Sequence, residues 1–165
     1  MSKKKKLTTD ETFALAIESH KKNNLQVAEN LYKEILKTNP KHVDAHNNLG
    51  IIFKELGELQ KAADCYQKAI QIQPEDAFAY YNLGLVFKEL GEFQKAVDCY
   101  HKSIQIQPNH VDTHNNLGIV FKELGEHQKA INCFEKAIEI QPNLANVHYN
   151  LGLVFKELSE SQKAI

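Results

Sequence analysis

The chain has 165 residues, 42% hydrophobic and 25% charged, with a formal net charge of -1. This is ordinary composition for a folded, water-soluble protein. It excludes the global basic field that holds nucleic acid or an anionic membrane, and no apolar run approaches the ~20 residues of a spanning helix.

The chain starts Met1-Ser2-Lys3-Lys4-Lys5-Lys6-Leu7. Charge with no apolar region behind it is not a secretory signal. Residues 1–8 read as a solvated, disordered basic terminus, and contact of the lysines with acidic lipid or nucleic acid is the lesser reading. Thr8 and Glu11 have the spacing of a capping box, which opens the first helix.

From there the backbone punctuation is periodic. Pro40, Pro74, Pro108 and Pro142 are all the prolines, at a fixed step of 34. Gly50, Gly84, Gly118 and Gly152, with Gly57, Gly91 and Gly125, are all the glycines and keep the same step. The division is a degenerate repeat 1 over 9–42, repeats 2 to 4 over 43–76, 77–110 and 111–144, and a truncated repeat 5 over 145–165. The period predicts two helices per unit. In the second unit helix A runs over 43–56 and ends at Gly57, a residue that enters the left-handed region cheaply. Helix B runs over 59–72 and stops before Pro74. Asn23 and Ser159 replace that glycine in the first and last units, asparagine being the better suited.

Leu49, Ile52, Phe53 and Leu56 line one face of helix A at helical spacing, and Ala62, Tyr66, Ala69 and Ile70 do so on helix B. Gly50 inside a helix implies a close crossing, with Ala62 as the small residue facing it. One hairpin cannot cover its own apolar face, so stacking supplies the burial. Cys65, Cys99 and Cys133 share one register position. Stacked repeats hold equivalent residues on the order of 10 Å apart, beyond the ~7 Å reach of a disulfide. The thiols therefore read as apolar fillers beside the helix B aromatic, in a reducing compartment such as the cytoplasm.

These residues resemble the tetratricopeptide repeat family. The pattern is a bulky residue, Leu-Gly and an aromatic on helix A, then Ala, aromatic and Ala on helix B, and a closing Pro. The second repeat has His46, Leu49-Gly50, Phe53, Ala62, Tyr66, Ala69 and Pro74. The third has Tyr80, Leu83-Gly84, Phe87, Ala96, Tyr100, Ser103 and Pro108, and the fourth has His114, Leu117-Gly118, Phe121, Ala130, Phe134, Ala137 and Pro142. The fifth starts with His148, Leu151-Gly152 and Phe155. The first departs from the pattern, with Leu15-Ala16, Ser19 and Ile35, as a terminal cap does. The resemblance implies an all-α fold, a right-handed α-solenoid of stacked antiparallel helix-turn-helix hairpins. Repeats two and four are more alike than neighbours are, as are three and five, a pattern that duplication of a repeat pair leaves.

The resemblance further implies a concave groove lined by helix A, with Asn47, Asn48, Lys54, Tyr81, Asn82, Lys88, Asn115, Asn116, Lys122, Tyr149 and Asn150 as its peptide-binding residues. Asn48, Asn82, Asn116 and Asn150 form a ladder at the period. A carboxamide both donates and accepts, so such a ladder can hold an extended backbone whatever its side chains. In this the array is similar to the repeats of the O-linked N-acetylglucosamine transferases; the bland alternative is a solvated family signature. Tyr81, Phe78 and Tyr149 are either groove anchors or local packing. Each groove lysine is followed by a glutamate, which cancels its field.

His42 with His46 and His110 with His114 stand at metal-binding spacing, but His46 and His114 occupy a packing position, so no metal is expected. No glycine-rich phosphate loop, Cys-x-x-Cys or His-Glu-x-x-His occurs, and the acidic residues recur with the repeat, which suits a face and not a unique catalytic site. The expectation is a non-enzymatic scaffold with no cofactor, binding a protein or peptide and neither nucleic acid nor membrane. One alternative is the recruiting region of a larger glycosyltransferase or sulfotransferase. Another is a homo-oligomer through an uncapped C-terminal hairpin that exposes Leu151, Val154, Leu158 and Ile165.

Overall fold

The computed structural model describes residues 7–163, the side chains of residues 160–163 excepted. The described residues form helices only, in two compact units, Met1–Glu75 and Asp76–Ile165. The basic run Lys3–Lys6, Ala164 and Ile165 lie outside the described residues.

The first unit holds α1 (Thr9–Lys21), α2 (Leu25–Thr38), α3 (Val43–Glu55) and α4 (Leu59–Ile72). Its first helix opens on the expected capping box: the Thr8 hydroxyl accepts from the Glu11 N–H while the Glu11 carboxylate accepts from the Thr8 N–H. Each helix packs on the next, so α1–α2 and α3–α4 are antiparallel pairs and α2–α3 joins them. The turns follow the residue chemistry. Gly57 has φ 74° and Asn23 has φ 59°, the left-handed conformation that closes helix A against helix B.

The second unit holds α5 (Ala77–Glu89), α6 (Phe93–Ile106), α7 (Val111–Glu123), α8 (His127–Ile140) and α9 (Ala145–Lys163), with the same neighbour-to-neighbour packing. Among the described residues, nine helices in this order, each packed on the next within its unit, make an all-α helical-repeat solenoid.

The core matches the periodic positions: Ala62, Tyr66 and Ala69, Ala96 and Tyr100, and Ala130, Phe134 and Ala137 are sealed from solvent. The helix A glycine leaves room for the helix B aromatic: a Cβ built on Gly50 would lie 2.8 Å from the Tyr66 ring, and one on Gly84 would lie 2.5 Å from the Tyr100 ring. The glycine is thus a seat for a flat ring, a partner that the residue spacing did not name. One expectation is corrected: among the described residues there is no C-terminal hairpin, because α9 runs unbroken through Ser159. Serine in the left-handed region is strained where glycine is not; Ser159 stays helical and its hydroxyl donates back to the Lys156 carbonyl at 2.8 Å.

Candidate functional site

The A helices of the second unit carry most of the residues named for a groove. They are oriented by their caps. The Asp76 carboxylate accepts from the Ala79 N–H at 3.0 Å, and His110 Nδ1 accepts from the Thr113 N–H at 3.3 Å. Each cap satisfies a backbone donor that the first helical turn leaves over.

On this frame the ladder asparagines Asn82 and Asn116 bond to their own helices, and Asn116 and Asn150 bond to the preceding helix A. Asn82 is buried, and its amide donates to the Phe78 carbonyl at 2.9 Å. Asn116 is half-buried. Its amide nitrogen donates to the Asp112 carbonyl at 2.9 Å and to the Tyr81 hydroxyl at 3.4 Å, while its oxygen accepts from Lys88 Nζ at 2.8 Å. One carboxamide thereby ties α5 to α7. Asn150 repeats the link, donating to the Asn115 oxygen at 3.1 Å and tying α7 to α9. The rule is the same in both cases: a ladder asparagine donates to the residue 35 positions earlier.

Tyr81 packs edge-on against His110 at 4.9 Å and lies 6.2 Å from the Tyr100 ring. Its burial, aided by the Asp112 charge, raises the phenol pKa, so it stays a neutral hydrogen-bonding group. Tyr149 holds the equivalent position but is 68% exposed, since among the described residues no helix follows α9 to cover it. Phe78, at the start of α5, is 49% exposed. Lys122 pairs with Glu123 at 3.2 Å and stands 4.0 Å from Glu157, so the expected cancellation of its field is made by contact.

In the first unit Asn47 is buried, and Asn48 and Lys54 are half-buried on α3. Within the second unit the structure thus links Tyr81 and Lys88 to Asn116, and Asn115 to Asn150.

The histidines have other work. His42 caps α3, its Nδ1 accepting from the Ala45 N–H at 3.2 Å. His46, His114 and His148 each bond through Nε2 to a proline carbonyl, Pro40, Pro108 and Pro142, at 3.0, 2.8 and 2.7 Å. The bulky position of the repeat is therefore a latch between helix A and the preceding turn, which the residue spacing did not reveal. Among the described residues no group of three or more His, Cys, Asp or Glu side chains is placed to hold a metal ion. The three cysteines are free, and burial raises their pKa values to about 12, 12 and 11 for Cys65, Cys99 and Cys133. No described helix is long and apolar enough to cross a membrane.

Comparison with known proteins agrees with this fold. Among solved structures, MamA is similar with 28% identity and a TM-score of 0.87, over 94% of this chain and 85% of that one. MamA from Desulfovibrio magneticus RS-1 is 18% identical with a TM-score of 0.87, over 94% and 88%. YrrB, described as a TPR protein with an unusual peptide-binding site, is 20% identical with a TM-score of 0.81, over 96% and 81%. The last two likenesses concern the fold. No curated protein sequence matches. Tetratricopeptide repeat family models match residues 75–143 and, in two copies, residues 31–63 and 133–165, and a TPR repeat model matches residues 52–91. Together these matches run over residues 31–165 and make the chain a member of the tetratricopeptide repeat family.

Proposed function

We propose that this chain is a binding scaffold, without chemistry of its own, that holds an extended peptide segment of a partner protein along the helix A face. The observation that carries this reading is the polar network of the second unit, in which Lys88, Asn116 and Tyr81 are locked together, with the exposed Phe78 one turn before Tyr81 on α5. Locked polar groups bind without first losing side-chain entropy. An exposed aromatic next to them is the usual form of an anchoring contact. A chain of the same fold, YrrB, is described as having a peptide-binding site.

The bonding pattern divides the work among the asparagines. Asn116 has its oxygen and its amide nitrogen engaged within the unit and serves as a strut. Asn82 spends one amide hydrogen on Phe78 and keeps acceptor capacity for a peptide N–H. Selection from an unbiased displayed-peptide library, run on the parent and on Phe78→Ala with Asn82→Ala, tests this. Peptides that enrich on the parent and not on the variant support it. Equal enrichment on both sinks it.

Self-association through α9 is a second reading. Phe155 is half exposed, and among the described residues a Cβ on Gly152 would meet nothing within 4 Å, unlike its three counterparts. Light scattering that gives a monomer mass at high concentration refutes it.

A further inference from the structure

The B helices of the second unit frame a cleft that the peptide reading does not use. It lies between α6 and α8 and has a volume of about 500 Å³, within the usual size of ligand clefts. Val97 and the Phe121 ring are buried at its base beside the half-buried Cys133, and Asp98, His101 and Lys129 are exposed around it.

The first unit shows the same position filled. Glu29, Lys33, Phe53 and Lys61 are the repeat equivalents of Val97, His101, Phe121 and Lys129, each 68 residues earlier. There the Lys33 ammonium donates to the buried Glu29 carboxylate at 2.5 Å and stands 5.5 Å over the Phe53 ring, with Lys61 at 5.4 Å. In the second unit Lys129 keeps its place, 5.3 Å over Phe121. Lys33, however, has become His101, a shorter side chain whose ring lies 6.2 Å from Phe121, and Glu29 has become Val97. An ion pair that fills the groove in one unit is replaced in the other by two side chains that leave it open. A carboxylate remains beside it, one residue along, in Asp98, which accepts a 3.4 Å bond from Gln94.

We propose that this cleft docks an arginine or lysine side chain of a partner protein, with its aliphatic stem on Val97 and Phe121 and its charge between Asp98 and the Phe121 ring. The occupant takes the part that Lys33 plays in the first unit. Lys129 does not oppose it: its ammonium is bridged to Glu126, as Lys61 is bridged to Glu58, and Lys61 shares the Phe53 ring with Lys33.

The test is a nuclear magnetic resonance titration of the isotope-labelled full chain with acetyl-Gly-Arg-Gly-amide, beside the citrulline analogue, which has the same shape without the charge. Saturable shifts at Val97, Phe121 and Cys133 with a Kd on the order of millimolar are expected for the arginine peptide. Asp98→Asn, at an exposed position, weakens binding about three- to fivefold. Val97→Glu with His101→Lys, which copies the first unit, abolishes it with helicity unchanged. Three results overturn the proposal: no saturable shift, equal binding of the citrulline peptide, or unchanged binding by Val97→Glu/His101→Lys. The same shifts on concentrating the chain without peptide, lost when Lys3–Lys6 are replaced by serine, would overturn it too, by making the chain's own lysine run the occupant.

Discussion

Gly84→Ala and Gly152→Ala are the same chemical change at equivalent helix A positions, and they should move stability in opposite directions. A methyl carbon at Gly84 would sit 2.5 Å from Tyr100 Cε1 and 2.7 Å from Cδ1. Carbon atoms in contact rest at about 3.5–4.0 Å, so the overlap exceeds an ångström. The Tyr100 ring is sealed from solvent and cannot swing aside. Overpacking of this kind costs about 1–3 kcal/mol, and the helix preference of alanine returns about 0.5–1 kcal/mol. The expected net loss is therefore between zero and about 2.5 kcal/mol, about 1 kcal/mol at mid-range. At Gly152 a Cβ would meet no neighbouring atom within 4 Å among the described residues, so only the helix preference acts and the variant gains about 0.5–1 kcal/mol. Urea denaturation followed by circular dichroism reads both. Adding Tyr100→Leu to Gly84→Ala should remove much of the difference in a double-mutant cycle. A Gly84→Ala protein as much stabilised as Gly152→Ala would refute the ring-on-glycine account of the core.

Leu83→Ala, at a position 4% exposed, should cost about 2–5 kcal/mol by the same assay, and a loss under about 1 kcal/mol would mean that the core is misplaced. The Tyr100 hydroxyl is buried with no hydrogen-bond partner among the described residues, while the equivalent Phe134 has none to satisfy. Tyr100→Phe should therefore be neutral or stabilise by up to about 1 kcal/mol, and a clear loss would reveal a bond to that oxygen. Burial raises the thiols of Cys65 and Cys99 from an ordinary 9.0 to about 12. Above the ordinary value the folded chain holds protons that the unfolded chain has released, so stability is full below about pH 9 and falls as pH rises towards 12. Denaturation midpoints that stay flat from pH 8 to 11 would contradict this.

Much of the fold was legible because the chain repeats its backbone punctuation. Gly57 and Asn23 take up the left-handed conformation that their residue types suggest, and the Thr8–Glu11 box forms as spaced. What pattern reading missed were contacts set by neighbouring units. The close crossing at Gly50 was legible from the glycine itself, but the Tyr66 ring seated on it was not. The turn at Ser159 was assumed from the period, but the glycine that makes such a turn cheap is missing. Of the candidate site, the residues were legible and their bonding was not. Asn116–Tyr81 and Asn150–Asn115 join positions 35 apart, one more than the repeat, and His20–Glu55 does the same in the first unit. Searching for complementary polar pairs at one step beyond the period would have found all three.

The most direct test of the scaffold reading is isotope-edited nuclear magnetic resonance on the full chain with the most enriched library peptide bound. The account expects an extended peptide, with cross-peaks to the Phe78 ring and the Asn82 carboxamide and with the Asn116 amide protons unchanged in their intramolecular bonds. A peptide that binds as a helix, or whose cross-peaks fall on the B helices instead, would contradict it.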